Sequence, residues 1–343
     1  MRYVAAVLLA ALCFGTTGTA QALGPDADPI SIGAARLVIG GGALGLIAAI
    51  QWFARRLDPP RRASEASVAS PRRAIATWGL VLLGAAGVVA YQPAFFAGTA
   101  ANGVAIGTVV ALGSAPVITG ALDWLTRRRY PGARWLAATA VATCGVALLA
   151  FADGGTGGGT SPLGLLASVG AGASYAVYTL AGKALIDRGW QSNASMGAMF
   201  GTAAVAGLPV LLLTDASWLA TPAGLAMALW LGLVTTTIAY VLFGAGLVGL
   251  APATVSTLTL AEPLTAGLLG VLLLGEQLAP RAWLGLAVLA AGIVVLAVPG
   301  SGRPRGDRAR PAPPPMSEVA PTVDAWTSSS SPVSGSTPHR GGR

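Results

Sequence analysis

Glu262 stands alone in apolar surroundings. It lies in the run Pro252 to Leu274, ten residues past the turn at Pro252. At 1.5 Å per residue its carboxyl is about 15 Å along a helix. No other acidic residue is placed so deep. A carboxylate there could bind a substrate ammonium or exchange a proton, or it could be a structural group bonded to neighbouring helices. Ser256, Thr259 and Pro263 follow one another at helical spacing and give that helix a polar stripe. Pro263 has no amide hydrogen, so the Thr259 carbonyl is expected to lose its helical partner. In lipid such a defect is tolerated where it faces protein or a wet cavity.

Few other polar residues interrupt the apolar runs. Arg36 enters a few residues into its run, shallow enough either to snorkel to the interface as an anchor or to clamp a carboxylate with its planar fork. Tyr91 and Gln92 interrupt a run just before Pro93, while Tyr175, Tyr178 and Tyr240 lie well inside theirs. Aromatics so placed either line a cavity, where they stack on flat or cationic ligands, or pack the core. Gln92 needs a partner for its amide. Lys183 is the only lysine in the chain and ends its run, as an interfacial anchor or at the mouth of a pathway. Glu276 reads as a loop-shaping residue. Asn102 and Asp123 are near run ends and are expected to be solvated.

Those runs dominate the composition. Hydrophobic residues make up 54% of the 343 residues and charged ones 10%, against about 25% charged in an ordinary soluble domain. The chain is an all-α polytopic membrane protein by this measure. Net charge is +8, but the basic residues fall in short clusters between apolar runs, which gives no basic face for nucleic acid. Cys13 and Cys144 lie inside apolar runs without a second ligand nearby, and the single histidine, His339, is in a polar tail. No metal or cofactor is expected.

An apolar run of about 20 residues spans the roughly 30 Å hydrocarbon core. Ten such helices are expected: 3–22, 31–53, 74–95, 101–125, 133–152, 162–183, 192–213, 221–244, 252–274 and 280–298. The first also has the short core and the Ala20, Gln21, Ala22 triplet of a cleavable signal peptide, so both readings stand. The stretch from Ala74 to Leu122 carries no charge and holds two spans with a turn at Gly98 to Asn102.

Arginines set the orientation. Arg55, Arg56, Arg61, Arg62, Arg72 and Arg73 follow the second helix, and Arg127, Arg128, Arg129 and Arg134 follow the fourth. Both loops should be cytoplasmic, which puts both termini inside. An offset of 147 residues carries Pro116 to Pro263, Gly120 to Gly267, Arg134 to Arg281 and Gly145 to Gly292. Two five-helix halves result, 1–152 and 153–300, the second inverted because each half has an odd number of helices. Inverted repeats are common in alternating-access carriers, with the site near the midplane between halves. The Pro- and Ser-rich stretch 301–343 cannot bury a core and is expected to be a disordered cytoplasmic tail.

The ordered set Thr236–Tyr240 (T-x-x-A-Y), Ala251–Thr254 (A-P-A-T), Glu262–Ala266 (E-P-L-T-A), Leu274–Leu278 (L-G-E-Q-L), Trp283–Gly285 and Ala291–Ile293 resembles the second half of the EamA-type drug/metabolite transporters. The resemblance extends over residues 3 to 298. It implies a ten-helix secondary carrier of the plasma membrane, the inner membrane in bacteria, that exports a small polar metabolite such as an amino acid or analogue. It further implies a site walled by helices 1 to 4 and 6 to 9, with Pro116 and Pro263 as points of bending, and places a basic residue at the position of Arg36. Candidate substrate-binding residues are then Glu262, Gln92, Tyr91, Tyr175, Tyr178, Tyr240, Thr259 and Arg36. Proton antiport is the natural coupling if Glu262 titrates, and uniport stays open. Oligomeric state is not readable.

The rival reading is an intramembrane enzyme such as a lipid phosphatase or transferase. That chemistry needs an acid, a base and a metal or nucleophile together. The apolar runs hold no histidine and no paired acidic motif, and the chain has no G-x-x-x-x-G-K-[ST] run to bind nucleotide. A receptor or scaffold would need more exposed loop than the chain has.

Overall fold

The computed structural model describes residues 1–57, 71–128, 130–152 and 161–298. The expectations for the loop 58–70 and the tail 301–343 lie outside the described residues. Among the described residues ten helices are long and apolar enough to cross a membrane: α1 (Arg2–Ala22), α2 (Pro29–Ala54), α3 (Ile75–Val104), α4 (Ile106–Arg127), α5 (Ala133–Ala150), α6 (Pro162–Asp187), α7 (Ser192–Leu213), α8 (Pro222–Gly249), α9 (Pro252–Leu274) and α10 (Pro280–Ala297). No strand occurs among the described residues. Leucine, isoleucine and tryptophan face outward along them, for instance Leu46, Trp78, Leu163, Leu213 and Leu272. A surface so apolar is stable only against lipid.

Three boundaries depart from the sequence reading. The turn between α3 and α4 falls at Gly103, with φ 80° and ψ 156°, rather than at Gly98 to Asn102. Only glycine adopts that conformation without strain. Asn102 is therefore not a solvated loop residue. Its amide donates to the Ser161 carbonyl at 3.1 Å and accepts from the Ser161 amide at 2.6 Å, pinning the start of α6. Second, α8 runs on past Gly244 to Gly249, and the chain turns only where Ala251 is extended, as the residue before a proline prefers. Third, α6 runs on past Lys183 to Asp187.

Packing is organised in matching sets. α2 lies along α7 and α5 along α10, α6 lies along α3 and α4, and α1 lies along α8 and α9. Exchanging each helix of the first five with the one five later leaves this pattern unchanged. The crossings repeat it at residue level. A Cβ on Gly41 would collide with the Phe200 carbonyl and one on Gly197 with the Leu44 carbonyl, while Gly45 faces Gly201. An offset of 156 residues relates all three contacts. At the other crossing a Cβ on Gly145 would strike the Leu289 backbone, and one on Gly292 would lie 2.6 Å from the Ala142 nitrogen. There the offset is 147. Helices in lipid associate through such small-residue contacts because no hydrophobic effect drives them together. Gly292→Leu and Gly197→Leu are each expected to cost about 1–3 kcal/mol of stability through overpacking. A thermal melt in detergent checks this, and an unchanged midpoint would refute it.

Aromatic residues fill the middle. Tyr178, Phe200, Tyr240 and Phe243 form one cluster, with ring centroids 4.0 Å apart for Phe200 and Tyr240 and 5.6 Å for Tyr240 and Phe243. Phe14 of α1 closes on Tyr240 at 5.1 Å.

Candidate functional site

Two small cavities, of about 50 and 70 Å³, lie inside this frame and share Arg36, Tyr91, Tyr178 and Tyr240 as walls. Space of this size holds a few waters or the polar groups of a small ligand. Gln92 and Thr236 border the smaller chamber. Tyr175, Ser256, Thr259 and Glu262 border the larger one. All eight candidate residues thus meet at one place, contributed by α2, α3, α6, α8 and α9. The larger chamber also takes Phe14 from α1 and Ala111 and Ala115 from α4.

Glu262 reaches the chamber because α9 is interrupted. The helix ends its first part at Leu258 and resumes at Ala261. Pro263 withholds its amide, as the sequence indicates, but the Thr259 carbonyl is not orphaned. It accepts instead from the Glu262 amide at 2.9 Å, and the Leu260 amide donates to Thr257 at 3.1 Å. These tight i to i+3 bonds satisfy the backbone and offset the two halves of α9. The Glu262 carboxyl itself has no hydrogen-bond or ion-pair partner among the described residues. Around Pro116 the helix α4 is continuous, and the Thr119 hydroxyl donates to the Ala115 carbonyl at 2.7 Å.

Arg36 does not snorkel outward as an anchor would. Its Nε donates to the Thr236 hydroxyl at 3.0 Å and its Nη2 to the Thr235 carbonyl at 3.2 Å. The physical reason is the state of α8. From Trp230 to Ile238 that helix is π-helical. The Thr236 hydroxyl bonds back to the Leu231 carbonyl, five residues earlier, at 2.9 Å, and Thr237 to Gly232 at 3.1 Å. Widened turns of this kind leave carbonyls available and recur at functional sites. Two guanidinium nitrogens are thereby fixed on α8, with the third left for the chamber.

The tyrosines are tied across the cavity. Tyr175 and Thr259 hydroxyls are 2.8 Å apart, and Thr259 donates to the Ser256 carbonyl. Tyr178 and Tyr240 hydroxyls are 3.0 Å apart. Tyr91 stacks on Phe95 with centroids 6.0 Å apart. Gln92 borders a second space of about 490 Å³ as well, between α2, α3 and α7, whose other walls are apolar side chains and glycine.

Sequence reasoning did not single out Thr236, Phe14, Phe200 or Phe243. Thr235, Thr236 and Thr237 in a row were the available signal, since three hydroxyls inside an apolar helix are unusual. Asp123 was expected to be solvated and is instead buried, with Arg127 at 2.9 Å. Lys183 is no lipid-facing anchor: its side chain is 12% exposed and donates to the Leu247 carbonyl at 2.8 Å. Among the described residues no group of three histidine, cysteine or carboxylate side chains gathers to hold a metal.

Among the described residues, ten apolar helices enclose a small chamber bordered by Arg36 and Glu262, the architecture of a multi-pass membrane protein. The chain belongs to the EamA-like transporter family, whose pattern matches residues 1–151 and 162–298, and with that family it is placed in the plasma membrane. A Bacillus subtilis (strain 168) protein named "Uncharacterized transporter YwfM" is 42% identical over 291 residues, covering 84% of this chain and 92% of its own. A crystal structure at 20% identity superimposes with a TM-score of 0.68 over 85% of this chain and 95% of its own. That likeness is one of fold alone.

Proposed function

We propose that the protein exports a small zwitterionic metabolite, an amino acid or close analogue, by alternating access, with Glu262 as the proton-coupling group. The observation that carries the reading is the unpartnered Glu262 carboxyl sharing a chamber with the partly used Arg36 guanidinium. A carboxylate of the ligand suits the free edge of Arg36, and its ammonium suits Glu262. The Tyr91, Tyr175, Tyr178 and Tyr240 rings and the Thr259 hydroxyl complete the walls, and Gln92 supplies an amide at the edge.

Two inverted five-helix halves, 1–152 and 153–300, exchange helices to make two matching sets that supply the motion. The reciprocal glycine contacts and the helix pairing support this architecture, and the arginine-rich loops support cytoplasmic termini. The chamber lies between the set α3, α4, α6 and the set α1, α8, α9, so rocking one set against the other opens it to either side. Pro263, beside the break in α9, and Pro116 in α4 are the points of bending. A lipid-modifying enzyme draws no support from the family or from the chamber.

The test is uptake of labelled amino acids, amines and nucleobases into inside-out vesicles, with and without a pH gradient. Accumulation of amino acids above empty vesicles, steeper with the lumen acid, is the expected result. Accumulation of amines or nucleobases alone would overturn the zwitterion, and equal uptake without a gradient would overturn proton coupling.

A further inference from the structure

Beside the chamber, α6 and α8 meet along a seam that runs to the helix ends that loop charge assigns to the cytoplasm. Tyr178 meets Tyr240 along it, and the Tyr175 ring lies 6.2 Å from that of Phe243. The last bond along the seam is from Lys183 Nζ to the Leu247 carbonyl, at 2.8 Å. Leu247 is in the final turn of α8, which ends at Gly249. Carbonyls in a last turn have no helical amide to accept from, and the negative end of the helix dipole favours a cation beside them. One turn further along α6, Asp187 lies 3.2 Å from the same ammonium, and Asp187 is itself held by Arg127 of α4.

We propose that Lys183 is the cytoplasmic latch of the carrier, an ammonium with two anchors that decides whether the α6–α8 seam is open. On Leu247 it joins the α3–α4–α6 set to the α1–α8–α9 set and closes the seam. When the sets part, the carbonyl is lost and Asp187, which moves with α6, keeps the cation paired. Without that second anchor, release would leave the ammonium with no counter-charge at the end of α6. The carboxylate therefore makes opening reversible. The proposal rests on the alternating-access reading above, but its sign does not depend on which substrate is carried.

The experiment is pulsed electron–electron distance measurement in nanodiscs, without substrate. Spin labels go at Gln191→Cys and Ala251→Cys, both exposed at the cytoplasmic ends, in a background with Cys13→Ser and Cys144→Ser. Lys183→Met, which keeps the stem and removes the charge, is expected to raise the longer-distance population about ten-fold, the worth of one charge-assisted hydrogen bond. Lys183→Arg should keep the parent distribution. Asp187→Asn should act in the opposite sense and deplete the longer distances. Identical distributions for the parent and Lys183→Met would overturn the latch, and so would a loss of transport in Lys183→Met without any change in distance, which would make Lys183 a ligand. If Lys183→Met fails to fold, Asp187→Asn decides, because an unchanged or longer distribution contradicts the two-anchor device. A parent that transports nothing yet shows the expected shifts would leave the latch standing and remove the substrate reading instead.

Discussion

Glu262→Gln is expected to lower transport at sub-saturating substrate by ten- to a hundred-fold and to abolish the response of the remainder to a pH gradient. The substitution changes little in volume, so the break in α9 and the packing around it persist. What it removes is the charge proposed to answer the ligand ammonium. A charge-assisted hydrogen bond is worth about 1.5–3 kcal/mol, which sets the range of the loss. It also leaves Arg36 as the sole charged side chain of the chamber, so the site should become relatively better at binding plain carboxylates. Glu262→Asp, one methylene shorter, should fall between the parent and Gln. Uptake into inside-out vesicles, measured against substrate concentration and imposed gradient, checks both parts. Full retention of the gradient response in Glu262→Gln would rule Glu262 out as the coupling group and return it to a structural role.

The second large effect is at Arg36. An arginine that merely anchors its helix at the interface can be exchanged for lysine at little cost, because both snorkel. Arg36 instead spends two nitrogens on Thr236 and Thr235 of the π-helical turn, so the direction of its remaining edge is fixed from both sides. Lysine has a single nitrogen and cannot hold α8 and a ligand carboxylate in the same geometry. Arg36→Lys is therefore expected to reduce transport about ten-fold, with the loss appearing in the apparent affinity. Arg36→Met should go further, to about a hundred-fold, and should lower the melting midpoint by the equivalent of about 1–3 kcal/mol because the Thr235 carbonyl loses its donor. Wild-type uptake in Arg36→Lys would show that the guanidinium does not touch the substrate. Thr236→Val separates the two roles, since it keeps the arginine and removes one of its supports. It should weaken transport less than Arg36→Lys while lowering stability.

Much of this was legible from residues alone. Ten crossings follow from run length and hydropathy, because lipid offers the backbone no hydrogen bonds and each span must satisfy its own. That requirement is local, so helices such as Ser192–Leu213 and Pro280–Ala297 were placed within a residue or two of their ends. The candidate list was legible for a related reason. A polar residue is costly at depth, so Glu262, Arg36, Gln92 and the buried tyrosines had to face a partner or a cavity, and all of them border the same two chambers.

Rotation and long-range partners belonged to the tertiary structure. Arg36 lies shallow enough to turn either way, and only the placement of α8 turned it inward. The π-helical stretch Trp230–Ile238 is set by i to i+5 bonding that no local propensity demands. By sequence Asp123 reads as a solvated residue near a helix end and Lys183 as an interfacial anchor. Asp123 is buried and Lys183 largely covered because Arg127 and the Leu247 carbonyl meet them, the latter 64 residues from Lys183 in the chain. The amino-acid sequence by itself determined which segments cross and which groups are too polar to face lipid, since both depend on one segment and its solvent. The seam between α6 and α8, the interrupted course of α9 and the shape of the chamber depend on how small residues let helices approach, and that is settled only when the helices are packed.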